Sequence, residues 1–206
     1  MSQLPGSSHL IVALKIPLLI APPLLVQPAS FAFLIVMVGF DLRSELFGSG
    51  GFQTSVPDSD LQRIVEAAWR APSAKNRQPW DFVIVTDPDQ LQELSTVWQG
   101  ARHIASAAAA IVLVAPVPPD ERRKLVDQYD LGQATMAMTI AATDLGIGTG
   151  HSSVGDQERA RAILGVPDDR IVAYLLGLGY PADRPLKPIV KPDRRPFDEV
   201  VHRGRW

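Results

Sequence analysis

The sequence predicts one mixed domain, α/β or α+β, in which helices cover a small sheet. Three observations predict it. Short β-branched apolar runs occur at Phe82–Thr86, Ala109–Ala115 and Arg170–Gly177, the composition of buried strands. Segments with helical spacing of apolar residues lie between them. The chain has 206 residues, 46% hydrophobic and 20% charged, which suits a single core and argues against wholesale disorder.

Residues 1–51 stand apart from that pattern. Between Met1 and Phe40 the only formal charge is Lys15, and five prolines interrupt the apolar runs. Leu10–Leu25 contains Lys15, Pro17, Pro22 and Pro23, so an uninterrupted membrane-spanning helix of about 20 apolar residues is not expected. Ser30–Phe40 is apolar but too short to span by itself. No basic start followed by a small-residue cleavage site marks a signal peptide. The expectation is an ill-ordered or non-native extension, membrane-tethered only if this segment is the native one. Asp41–Gln53 carries Gly48, Gly50 and Gly51 and reads as a loop.

The folded part, 52–206, begins in earnest at Val56. Pro57-Asp58-Ser59-Asp60 starts a helix, with Asp58 or Ser59 as N-cap and acidic residues at the positive end of the helix dipole. Leu61, Ile64, Val65 and Ala68 continue at helical spacing, and Pro72 ends the run. Phe82–Thr86 is the first strand, Pro88–Trp98 a short helix and Ala109–Ala115 the second strand. Asp120–Leu145 places Leu131, Ala134, Thr135, Met138, Ala141, Ala142 and Leu145 on one stripe of mostly small residues, as in a central helix buried nearly all round. Gly146–Gly150 breaks that helix. Gln157–Leu164 is a further helix closed by Gly165, Arg170–Gly177 the third strand, and Phe197–Val201 the last periodic segment.

Net charge is −2 with basic residues scattered until the C-terminus, so no nucleic-acid footprint stands out. The absence of cysteine excludes disulfides, thiol nucleophiles and thiolate metal sites, and suits a reducing cytoplasm. No His or carboxylate cluster has metal spacing. No Ser-His-Asp set, paired-carboxylate signal or P-loop is present, which is the pattern of an enzyme whose cofactor carries the chemistry.

The most informative stretch joins the first helix to the first strand: Arg70-Ala71-Pro72-Ser73-Ala74-Lys75-Asn76-Arg77-Gln78-Pro79-Trp80. It is a rigid polar turn beside a flat apolar wall. With Leu145-Gly146-Ile147-Gly148-Thr149-Gly150, Leu178-Gly179-Tyr180-Pro181 and Lys191-Pro192-Asp193-Arg194-Arg195-Pro196-Phe197 following in order, it resembles the nitroreductase family of flavoproteins. The resemblance runs from Phe52 to Trp206, about three quarters of the chain.

That resemblance implies an α+β fold with a mainly antiparallel sheet flanked by helices. It implies an intertwined homodimer with FMN at the interface, NAD(P)H as hydride donor, and ping-pong reduction of a small-molecule acceptor such as a nitroaromatic or quinone. An oxygen-using or dehalogenating relative, and a non-catalytic flavin-binding dimer module, remain alternatives. Arg70, Pro72, Ser73, Ala74, Asn76 and Gln78 fall where the family contacts the flavin. So do His151, Ser152 and Ser153, and Arg194 or Arg195 falls where a basic residue reaches the phosphate.

Each position also has a bland reading. Ser73 and Asn76 can simply satisfy a local turn, and Gln78 can buttress it. Arg70 can answer the helix dipole, Ser153 can cap the next helix, and Arg194 and Arg195 can be a solvated pair. Trp80 is expected in the core, and Lys75 and Arg77 in solvent. No side chain is assigned as general acid or nucleophile.

One departure matters. Where the family opens with an Arg-Arg-Ser type motif, this chain has Leu46-Phe-Gly-Ser-Gly-Gly51. Losing two charge-assisted phosphate contacts costs about 3–6 kcal/mol, or roughly 10²–10⁴-fold in FMN affinity. One codon choice for Leu46–Phe52, read two nucleotides later, gives Val-Arg-Gln-Arg-Arg-Phe. The residues before about Phe52 are therefore expected to be an out-of-frame translation.

Overall fold

The computed structural model describes residues 55–181, 186 and 193–206. The expectations for residues 1–51, including the Leu46–Gly51 segment, lie outside the described residues.

Within them, α1 (Asp58–Trp69) leads through a short 3-10 turn (Ala74–Asn76) into β1 (Asp81–Val85). Then follow α2 (Pro88–Leu94), a 3-10 segment (Gln99–Ser106), β2 (Ala109–Pro116) and α3 (Glu121–Asp144). The described chain ends with β3 (Gly148–Ser153), α4 (Gln157–Leu164), β4 (Arg170–Gly179) and α5 (Phe197–Val200). The four strands lie in the order β1-β2-β4-β3, and every neighbouring pair is antiparallel. The fold is α+β, with the antiparallel sheet that the resemblance implied.

The sheet is buried on both faces, and β2 shows why its sequence is apolar without alternation. Ala109, Ile111, Leu113 and Ala115 point into one core with Leu61 and Ile64 of α1 and Met138 of α3. Ala110, Val112 and Val114 point into a second core with Leu91 and Leu94 of α2 and Ala160 of α4. Three layers result, helices on either side of the sheet. Trp80 is buried in the first core, as its sequence position predicted.

The caps are chosen by geometry. Asp87, Asp120 and Asp156 each accept the backbone N–H of the third residue of the helix they open, at 2.9, 2.7 and 2.9 Å. Asp156, not Ser153, therefore caps α4. α1 has Pro57 at its N-cap position with no side-chain cap, so neither Asp58 nor Ser59 does that task. Both Asp58 and Asp60 sit in the first turn, where the dipole still favours them. α4 ends at Gly165 with φ +67°, the left-handed cap that glycine adopts without strain.

Two expectations change. Gly146–Gly150 does break the long helix, which ends at Asp144, but from Gly148 to Ser153 the chain is a strand that the sequence did not predict, paired along its whole length with β4. Its composition is poor for a strand, so backbone pairing decides it. The second change concerns α3, which buries one stripe (Asp127, Asp130, Leu131, Ala134, Met138 and Ala142). On the same helix Leu125, Tyr129, Met136 and Ile140 are exposed, Tyr129 at 71%. In the single chain α3 is not buried all round.

Opposite the slip in β2–β4 register between Leu113 and Val114, Gln157 reaches across from α4. Its amide donates to the Val172 carbonyl at 2.8 Å and accepts the Val172 N–H at 3.0 Å. One side chain thus satisfies backbone groups of a fully buried residue.

Candidate functional site

The loop between α1 and β1 is built around left-handed backbone. Lys75, Asn76 and Gln78 have φ of 57°, 53° and 53°. Asn tolerates that region, whereas Lys and Gln do not favour it. Such residues cost about 1–3 kcal/mol each and persist only where their surroundings over-determine them.

Those surroundings are visible. The Ser73 hydroxyl accepts the Gln78 N–H at 2.9 Å, and the Asn76 N–H donates to the Ser73 carbonyl at 2.9 Å. The Gln78 side-chain amide donates to Asn76 Oδ1 at 3.2 Å, and the Trp80 N–H to the Gln78 carbonyl at 2.8 Å. From α3, Asp130 accepts the Ala74 N–H with both carboxylate oxygens, at 3.0 and 3.2 Å. Arg77 donates to Asp127 at 2.6 Å and has Asp130 at 3.9 Å. Arg77 is therefore not a solvated cation; it is held half-buried against two carboxylates one helical turn apart.

Two cavities flank this arrangement. One of about 320 Å³ is lined by Pro72, Ser73 and Ala74 of the loop and by Leu125, Tyr129 and Gln133 of α3. Its walls are mostly apolar, with Ser73 on the loop and Asp130 and Gln133 on α3 as polar groups, and it opens onto the exposed face of α3. The other, about 430 Å³, lies at the far end of the loop among Pro79, Trp80, Arg123 and Arg170, and includes Arg77 and Asp127.

The remaining sequence candidates lie elsewhere. Arg70 caps the C-terminus of α1 with its guanidinium 5.4 Å from the Trp69 ring centroid, a cation–π contact. His151, Ser152 and Ser153 sit on β3, the opposite edge strand from β1. Ser153, Tyr174, Leu113 and Phe82 form one row across the sheet. Three strand spacings separate its ends by about 14 Å. Ser152 is buried with its hydroxyl on the Ser153 carbonyl at 2.9 Å, while His151 and Ser153 are exposed. His151 is exposed as a residue but its ring is partly desolvated; that desolvation first, and the charge of His103 second, lower its pKa below the usual 6.5. Arg194 and Arg195 are exposed near the C-terminus; Arg194 donates to the Asp193 carbonyl at 2.7 Å and Arg195 pairs with Glu199 at 3.8 Å.

The structure thus brings Pro72, Ser73, Ala74, Asn76 and Gln78 together and adds Asp127, Asp130 and Gln133, which sequence reading missed. The available signal was a pair of carboxylates, three apart, heading an otherwise small-residue stripe. Among the described residues no group of His, Asp or Glu is arranged to hold a metal ion. None of their helices is long and apolar enough to cross a membrane.

The nitroreductase family model matches residues 53–124 and 96–180. The chain is 34% identical over 157 residues to an Archaeoglobus fulgidus protein provisionally named NADH dehydrogenase/NAD(P)H nitroreductase, covering 73% of this chain and 88% of that one. It is 32% identical over 161 residues to the NADH dehydrogenase of Thermus thermophilus, covering 62% and 78%. A solved FMN-dependent nitroreductase from Clostridium difficile shares the fold, with a TM-score of 0.64 at 24% identity over 78% of this chain and 98% of that one. With the loop sequence, the antiparallel sheet and these matches in agreement, the chain belongs to the nitroreductase family of oxidoreductases.

Proposed function

We propose that this chain is an FMN-dependent NAD(P)H oxidoreductase that works as a homodimer and reduces a nitroaromatic, quinone or similar small acceptor. The observation that carries this reading is the 72–80 loop, locked in left-handed backbone beside a shallow apolar cavity. A flat ring system fits there: Pro72 and Ala74 form a non-polar floor, and a hydroxyl that accepts from Gln78, as Ser73 does, can still donate. Asn76 and Gln78 do not line this cavity; their side chains bond each other and hold the loop in shape. The open side of the cavity continues into exposed Leu125 and Tyr129, surface that a second copy of the chain would cover.

When bound, FMN supplies reversible hydride acceptance, and no side chain is needed as nucleophile or general acid. The chain's own part is to fix the ring plane and to present N–H donors where negative charge grows. Arg194 or Arg195 would meet the phosphate, and in the homodimer the edge strand that carries His151, Ser152 and Ser153 would come from the second copy to line the outer pocket.

The test is direct. Purified protein is titrated with FMN, and the bound flavin is followed by absorbance as NADH or NADPH is added. A second chain carries Val-Arg-Gln-Arg-Arg in place of Leu46–Gly51. The expected result is flavin that bleaches with NAD(P)H, held roughly 10²–10⁴-fold more tightly by the second chain. Failure of both chains to bind FMN would sink the proposal.

A further inference from the structure

We infer that Asp130 and Asp127 are positioning residues for the flavin loop, a clamp on α3 that holds residues 72–80 in their ring-binding shape before any ligand arrives. The functional meaning of the clamp rests on the flavin reading above; the clamp itself rests on geometry.

The two carboxylates are three residues apart and so share one face of α3, the face packed into the protein rather than the open one. Asp130 is 1% exposed and Asp127 7%. Burying a carboxylate among apolar neighbours is unfavourable unless hydrogen bonds and opposite charge compensate it. Apolar replacement of a buried ion pair is often neutral or stabilising, so stability by itself does not account for two buried carboxylates here. What these carboxylates hold is the loop. Asp130 takes the Ala74 N–H on both oxygens, and Asp127 takes the Arg77 guanidinium. The two contacts bracket Lys75 and Asn76, two of the three left-handed residues, and the third, Gln78, follows directly.

Ala74 and Arg77 are thereby fixed from outside the loop, and the residues between them have no room to relax to ordinary backbone. Asp130 also lines the 320 Å³ cavity beside Ser73 and Ala74. The bond that restrains the loop therefore sits at the wall where the ring would rest. Pre-shaping of this kind strengthens binding by removing the ordering cost from the binding step.

The experiment uses the full chain without added flavin and limited trypsin digestion. Lys75 and Arg77 offer cleavable bonds inside the loop, and Arg161 in α4 reports global opening. Asp130→Asn keeps one acceptor oxygen, Asp130→Ala keeps none, and Asp127→Asn removes only the charge facing Arg77. The expected result is cleavage after Lys75 and Arg77 that rises about tenfold or more relative to cleavage after Arg161, in the order wild type, Asp130→Asn, Asp130→Ala. FMN affinity, read by quenching of flavin fluorescence, falls about tenfold in the same order.

Equal acceleration at all three sites would mean that the carboxylates serve global stability, and would overturn the inference. So would a loop that stays as resistant as wild type. If Asp130→Ala does not fold, Asp127→Asn and Asp130→Asn carry the comparison. Because cleavage is read without flavin, wild-type protein that takes up no FMN overturns the flavin reading and leaves the clamp to be judged by trypsin.

Discussion

Gly150 and Gly177 face each other across β3 and β4, and the His103 ring occupies the space their missing side chains leave. Its two ring nitrogens lie 3.0 Å from the carbonyl oxygens of Gly100 and Gly150. A Cβ on Gly150 would stand 3.0 Å from His103 Cδ2 and Nε2, and one on Gly177 3.4 Å from Cδ2. This glycine pair on β3 and β4 thus serves the close approach of an imidazole, which ties the 3-10 segment to the edge strand.

Gly150→Ala is expected to displace that ring and destabilise the fold by about 1–3 kcal/mol, as overpacking does. Urea unfolding of the variant checks it. A midpoint unchanged from wild type would show that His103 can move aside freely.

His151 sets a pH dependence. Its folded pKa lies below the usual 6.5, so the unfolded chain binds its proton more readily. Its contribution to stability is whole above about pH 6.5 and is lost as pH falls toward the folded value. Urea midpoints at pH 7.5 and 5.5 should therefore differ less in His151→Asn than in wild type. An identical difference in both proteins would count against a depressed pKa.

Gln157→Ala leaves the Val172 N–H and carbonyl, both in a fully buried residue, without the side chain that satisfies them. A loss of about 1–3 kcal/mol is expected from an unpaired buried polar group. Gln157→Glu should lie between, since it still accepts from the N–H but no longer donates. The readout is again urea denaturation.

The exposed face of α3 gives a test of assembly. Tyr129→Glu combined with Ile140→Glu places two charges on the apolar stripe and should convert a self-associating protein to monomer, measured by sedimentation velocity. A wild-type chain that is already monomeric at tens of micromolar would remove the second copy from the proposed function.

Elements whose signal is local were legible in the chain. β1, β2, β4 and four of the helices carry their periodicity or their β-branched runs within a dozen residues or so. Trp80 follows from the run of Gln-Pro-Trp into a strand, and the loop motif alone was enough to suggest the family. The features that had to wait for the fold depend on partners far away along the chain. β3 has a composition that predicts a break, and it is a strand because β4 offers it a paired edge. Arg77 reads as solvated and is held by Asp127, fifty residues on. Asp130 looks like a polar position on a helix until the fold brings it within 3.0 Å of the Ala74 N–H. The strain in the loop was invisible for the same reason: left-handed Lys75 and Gln78 are disfavoured locally, and bonds within the loop together with the α3 contacts at Ala74 and Arg77 hold them there.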